Sequence, residues 1–205
     1  MNALTALRDC LTLPRDHSTS TGTDIGPDAV EVGTSTLRVG AGYCACFAVT
    51  GYPAEVGLGW LEPLLADPGR IDVAVHVDPI PPEVAAERLR RQLARLESTT
   101  RLDAQRGRLT DFTAEAAADD ASDLAARLAR GETKLFRVGL YITVHARTRQ
   151  ELAKECTRVR ARAAGLLLDA RPATFRSLQG WTATLPLAVD TLDVRRVMDT
   201  DAVAS

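Results

Sequence analysis

The sequence predicts an α+β domain, and three observations carry that expectation. Three segments alternate apolar and polar residues with the period of a strand; the segments between them repeat apolar residues at helical spacing. Their order is β-α-β, a two-helix excursion, then β-α-β again. The chain has 205 residues, 45% of them hydrophobic and 25% charged, which suits one domain of generous size and excludes a disordered chain or a fibre. Only four Phe, three Tyr and two Trp are present, so the core must be built from Ala, Leu and Val.

Residues 1–33 read as an N-terminal extension: Leu4, Leu7 and Leu11 make at most two amphipathic turns, and a Ser/Thr-rich stretch follows up to Gly26-Pro27. Residues 34–188 form the expected domain. Leu37, Val39, Ala41 and Tyr43 alternate with polar or small residues and lead into an apolar run ending at Val49, so 36–49 is expected to be one strand. Gly51-Tyr52-Pro53 breaks it. A short helix is expected over 57–65, stopped by the turn signal Asp67-Pro68-Gly69. Ile71, Val73, Val75 and Val77 then alternate with Asp72, Ala74, His76 and Asp78, the signature of a half-buried strand.

Pro82 suits the first turn of a long helix carrying Val84, Leu89, Leu93 and Leu96. A corner at Gly107 and Thr110-Asp111 leads to a second helix that ends at Gly131, so 82–130 is a helical hairpin. The next strand sends Phe136, Val138, Leu140, Ile142 and Val144 one way and Arg137, Gly139, Tyr141, Thr143 and His145 the other. Thr148 and Glu151 are spaced as a capping box, opening a helix with a buried stripe of Leu152, Cys156, Val159 and Ala163 that Gly165 should end. A last strand is expected at 166–169 and a short helix near 175–178. Residues 189–205 read as a connector. Two split β-α-β units sharing one antiparallel sheet make a ferredoxin-like sandwich with an inserted two-helix hairpin. A doubly wound parallel sheet fits less well, because the strands are few and alternate rather than running apolar throughout.

Charge is near balance, 25 basic residues against 27 acidic, which disfavours a dedicated nucleic-acid binder. No segment approaches the roughly 20 apolar residues of a membrane span, and no signal peptide is visible. Cys10, Cys44, Cys46 and Cys156 lack CxxC spacing, so reduced thiols in the cytoplasm are expected. GxxxxGK[ST], GxSxG and HExxH are absent, and no cofactor or metal is expected. Cys44 and Cys46 share a strand face, where burial as small apolar residues is the more ordinary role than a redox or metal pair. His76 and His145 would sit about 20 Å apart on antiparallel strands, too far to share a ligand.

Two helices are arginine-rich. Residues 82–108 hold seven Arg against four acidic residues; 111–130 hold five acidic residues against two Arg, so a hairpin with complementary charge is expected. Residues 147–162 hold Arg147, Arg149, Lys154, Arg158, Arg160 and Arg162 against only Glu151 and Glu155. This excess is either a solvated face or a patch for anionic lipid or an acidic partner.

Several segments resemble a known family when taken in order. They are Thr50-Gly51-Tyr52-Pro53; Gly59-Trp60-Leu61-Glu62-Pro63; Leu135 to Val138; Arg171-Pro172-Ala173-Thr174-Phe175; Gly180-Trp181 with Thr184 to Leu187, Pro186 included; and Arg196 to Thr200. Together they are similar to the N-terminal region of the bacterial conjugation and type IV secretion ATPases, the TraC/TrbE/CagE class, over roughly residues 24–205. The resemblance implies a non-catalytic assembly and docking domain, preceding an ATP-binding motor domain in the parent protein. Its implied location is the cytoplasmic face of the cell membrane, and its implied partners are other secretion subunits, small inner-membrane proteins among them. Homo-oligomerisation would run through the parent ATPase, and peripheral membrane contact is possible in that setting. Candidate docking surfaces are Arg149, Lys154, Arg158, Arg160 and Arg162 on one helix, and the hairpin. The alternatives are a stand-alone ferredoxin-like enzyme or small-ligand binder using Cys44, Cys46 or His76, and a DNA-binding module working through its arginines.

Overall fold

Leu135–Ala146, strand β5, is the spine of the molecule, because its apolar residues recur on both faces and neighbours pair along both edges. The computed structural model describes Pro27 and residues 29–105 and 112–205, with backbone only at 97, 100–105 and 112–115. The expected N-terminal helix, Cys10 and the corner at 107–111 lie outside the described residues. Among those described, seven strands form one antiparallel sheet, and six helices accompany it. The strands are β1 Val30–Val32, β2 Leu37–Val39, β3 Gly42–Gly51, β4 Ile71–Pro79, β5, β6 Asp169–Pro172 and β7 Arg196–Asp199. The helices are α1 Glu62–Leu65, α2 Pro82–Gln105, α3 Phe112–Ala129, α4 Arg149–Gly165, α5 Ser177–Thr184 and α6 Thr200–Ala204. The sheet runs β1-β2-β3-β5-β4, with β6 added to β3 and β7 to β5.

Three apolar clusters hold it. Ala45, Phe47, Val49, Leu140, Ile142 and Val144 face Leu152, Val159 and Ala163 of α4, with Leu64 of α1 beside them. The opposite face packs Cys46, Ala48 and Tyr141 against Ala183 of α5 and Leu192. At one end Ile80 and Leu135 meet Ala85 and Leu89 of α2, with Leu124, Ala125 and Leu128 of α3. The hairpin is therefore joined by apolar contacts. The ion pairs of Glu87 run within α2, to Arg90 and Arg91.

Several expectations are corrected. The strand expected over 36–49 is two strands: Val39 pairs with Gly42 across a reversal at Gly40-Ala41, where Gly40 has φ 56°. The two-residue turn shifts the parity by one: Leu37 and Val39 share a face with Cys44 and Gly42, and Tyr43, which extends their alternation in sequence, lies opposite Arg38. β1 and β7 add to the sheet from within the expected extension and connector. The helix expected over 57–65 is helical only from Glu62. Gly165 is the last residue of α4, as expected, but it does not take the left-handed position. Leu167, at φ 58°, is the left-handed residue, with Leu168 N–H donating to Ala163 O and Leu167 N–H to Ala164 O. This Schellman ending consumes 166–168 and moves the last strand to 169–172. At the end of α3, Gly131 (φ 73°) takes the left-handed position as expected, bonded to Leu128 O. The Thr148 hydroxyl accepts from Glu151 N–H, while the Glu151 carboxylate accepts from Arg147 N–H, one residue before the cap. The short helix near 175–178 begins only at Ser177 and runs to Thr184, because Phe175 sits at φ 60°.

The largest correction concerns the second face of β5. It carries Arg137, Thr143 and His145 in sequence, yet Tyr141 and Thr143 are fully buried there under α5 and the segment after it.

Candidate docking surfaces

The two arginine-rich helices are built differently. On α4, Arg158 forms a two-pronged contact with Asp67, Nη1 to Oδ2 at 2.6 Å and Nη2 to Oδ1 at 2.9 Å. Arg158 also binds Glu155, and Arg162 reaches Asp67 at 3.0 Å and the Pro63 carbonyl at 3.0 Å. The Asp67 side chain is 0% exposed, and the Gly69 N–H donates to its other oxygen at 2.7 Å. Arg158 and the Gly69 amide hold its carboxyl below the usual carboxylate range, with burial opposing them. A Cβ on Gly69 would lie 2.1 Å from Arg158 Nη2 and 2.7 Å from Asp67 Oδ1, so a side chain there would displace the clamp. The Asp67-Pro68-Gly69 turn therefore clamps α4 to the β3–β4 connection.

Of the other candidate docking residues, Arg149 lies over the Tyr43 ring at 5.4 Å. Lys154 and Arg160 are exposed. The structure thus divides the five, with Arg158 and Arg162 engaged in holding the fold.

On α2, Arg88, Arg90, Arg91 and Arg95 are exposed. Arg88, Arg91 and Arg95 recur at helical spacing and line a groove of about 990 Å³ with Arg137, Gln92, Glu83 and Glu87. Its apolar wall is Pro79, Ile80, Pro81 and Val84. A second cavity, about 630 Å³, lies between the hairpin and the sheet end, where Arg88, Asp120 and Arg196 meet Leu89, Leu124 and Tyr52. Tyr52 lines this cavity and packs against the α4-side core. Burial pushes its phenol up to about 12, with the Leu140 backbone and Arg196 pulling the other way.

Cys44 and Cys46 are sealed in, whereas Cys156, His76 and His145 are half-buried. Cys44 and Cys46 are buried on one face, as period two requires, and Cys46 accepts a hydrogen bond from Thr143 at 3.3 Å. A Cβ on Gly180 would come within 2.6 Å of Cys46 Cβ, so the glycine of Gly180-Trp181 lets α5 close over this thiol. The Cys44 thiol beside it, together with burial, holds Cys46 far above the usual thiol range. His76 Nε2 contacts the Ala183 carbonyl at 2.7 Å and His145 Nε2 contacts Asp72 at 2.6 Å. His76 lies opposite Gly139, six positions along β5 from His145, so the two imidazoles are separated as expected. Among the described residues no group of three His, Cys, Asp or Glu is arranged to hold a metal.

The other sequence-selected residues fall in distinct places. Trp60 joins Tyr52 in the α4-side core, and Trp181 packs on the opposite one. Gly59, at φ 71°, donates its N–H to the Ser205 carbonyl, and Pro63 opens α1. Gly51 closes on Asp169, Pro172 pairs with Phe47, Pro53 is half-buried and Pro186 is exposed. Arg196 is exposed on β7, and the Thr200 hydroxyl accepts from Lys134 N–H at 2.9 Å.

Sequence reasoning missed a buried network that pins the segment over the second face. Asp190, 1% exposed, accepts from Tyr141 Oη at 2.9 Å, Arg195 Nε at 2.7 Å and the amides of Leu192 and Asp193. Tyr141 Oη accepts in turn from Val194 N–H, and Arg195 also meets Asp78. Burial, then the acceptor Asp190, raises the Tyr141 phenol well above its ordinary value. The one signal in the sequence was Asp190 and Arg195 beside a strand tyrosine, which spacing alone cannot join. Among the described residues no helix is long and apolar enough to cross a membrane. The chain matches no family model and no curated protein.

Proposed function

We propose that this chain is a non-catalytic assembly and docking domain of the kind that precedes the motor in conjugation and type IV secretion ATPases. We read β6-β3-β5-β4 as two split β-α-β units in a ferredoxin-like arrangement, with α2 and α3 inserted between β4 and β5. The observation that carries the docking role is the groove along α2. It offers three outward arginines over an apolar wall, which suits an acidic partner segment with apolar anchors. Small inner-membrane subunits of the secretion complex are the partners proposed, meeting the domain at the cytoplasmic face of the membrane. ATP hydrolysis has no place in these residues, since the phosphate-loop sequence is absent from them.

The test is co-expression with small inner-membrane subunits of a conjugation system. The chain is expected to sediment with membranes only when a subunit is present, and Arg91→Glu with Arg95→Glu is expected to release it. Sedimentation unchanged by that double variant would defeat the reading. Binding to duplex DNA that falls steeply with salt would favour the DNA-binding alternative.

A second reading rests on the 630 Å³ cavity, whose size and mixed lining suit a small anionic ligand. Arg196→Gln would separate the two readings, weakening such a ligand and leaving the membrane partner bound.

A further inference from the structure

β4 is the open edge of the sheet: among the described residues it pairs only with β5. It is nine residues long and regular, with no bulge, no lysine, and a proline only at its last position. Long edges of this kind are normally blunted, because they template pairing with another strand. The ladder shows which groups point outward. His145 N–H donates to Arg70 O, and Ile80 N–H donates to Leu135 O, so even-numbered residues of this segment bond toward β5. The N–H and C=O groups of Ile71, Val73, Val75 and Val77 consequently face away from the sheet. On the same residues Val75 and Val77 are 48% and 40% exposed, an apolar stripe at the edge.

We propose that this edge pairs antiparallel with β4 of a second copy, centred on Ala74. That register sets Val73 opposite Val75 and Ile71 opposite Val77 of the second copy, every pair exchanging outward N–H and C=O groups. It covers the exposed valines with the half-buried ones. On the other face it sets Arg70 opposite Asp78 and Asp72 opposite His76, a complementary set at each position. Neighbouring registers are poorer. Centring on Val75 places Asp72 opposite Asp78 and spends an outward pair on Pro79, which has no N–H. Centring on Val73 leaves Val77 opposite Gly69. The self-pairing is isologous, so it closes as a dimer and joins two sheets into one.

The full chain is examined by sedimentation velocity across a concentration series. A dimer is expected at about 100 µM. Val75→Lys is expected to leave a monomer, and Val75→Thr to keep the dimer. Arg70→Asp, which faces Asp78 of the second copy, is expected to weaken association about tenfold. Amide exchange of Ile71, Val73, Val75 and Val77 in the wild type should slow as concentration rises, a readout that needs no variant to fold. A monomer at about 1 mM, or a dimer indifferent to Val75→Lys, overturns the proposal. The membrane-partner experiment is independent of this one, since its variants lie on α2.

Discussion

Helices α2 and α4 carry five and four arginines and use them in opposite ways. On α4, Arg158 and Arg162 converge on Asp67, a carboxylate with no exposed surface, and fix the helix to a turn beneath it. On α2, Arg88, Arg91 and Arg95 line an open groove, and among the described residues the ion pair of Arg91 is with Glu87 one turn before it. The difference teaches that charge counts along a helix do not distinguish a structural clamp from a recognition surface. What decides is whether a buried acid faces the helix from another element. A clamp residue should be read in stability, and a groove residue in association.

The largest effect expected is at the clamp's acid. Asp67→Ala strands two guanidinium groups and an amide, and should cost about 3 kcal/mol, the low end for a broken buried pair. In a domain of this size that is a fall in Tm of about 6–12 °C, measurable by calorimetry. The pH dependence has a definite sign. The carboxyl of Asp67 is depressed in the folded chain, chiefly by Arg158, so its stabilisation is complete above its unfolded value near ~3.9 and disappears as pH falls through the folded one. The stability gap between wild type and Asp67→Asn should therefore be constant at neutral pH and narrow below about pH 4. A gap that stays constant down to acid would show that Asp67 is not ionised against Arg158.

An intermediate effect separates the two arginines of the clamp. Arg158→Gln loses the two-pronged contact and should cost about 1–2 kcal/mol, since the arginine is partly exposed and Arg162 stays close to the acid. Arg162→Gln should cost less than about 1 kcal/mol. Because both act on one carboxylate, the double variant should exceed the sum of the singles, which a double-mutant cycle by urea unfolding would measure. Additive losses would mean that the two guanidiniums act on the helix separately.

Much of this fold was legible in the sequence because it rests on period. The alternation of β4 and β5, the long helices, and Gly131 as the ending of α3 all follow from local chemistry. Three things were not legible, for physical reasons. A hairpin at Gly40-Ala41 shifts the strand parity by one residue, and the small residues at 40–42 leave that shift invisible in the apolar pattern. A leucine, Leu167, adopted the left-handed position for which Gly165 was the obvious candidate. The third is the covering of the second face by α5, which makes Tyr141 and Thr143 core. Of the candidate surfaces, the arginines could be counted in advance, but their division could not. Asp67 was visible only as a turn residue, and its partner lies 91 positions away along the chain.

The smallest stability effect sharpens the comparison most. Arg91→Gln with Arg95→Gln removes two charges from a groove wall, at exposed positions whose only ion pair among the described residues is the helical contact with Glu87. Such contacts contribute a few tenths of a kcal/mol, so the double variant should unfold within about 0.5 kcal/mol of the wild type. If the groove is a docking surface, the same variant should lose the acidic partner, and its residual binding should depend less on salt. A large loss of stability would instead place these arginines in the same class as Arg158, holding the hairpin to its own chain. Equal stability with unchanged partner binding would leave α2 a solvated face and return the docking role to the exposed side of α4, at Lys154 and Arg160.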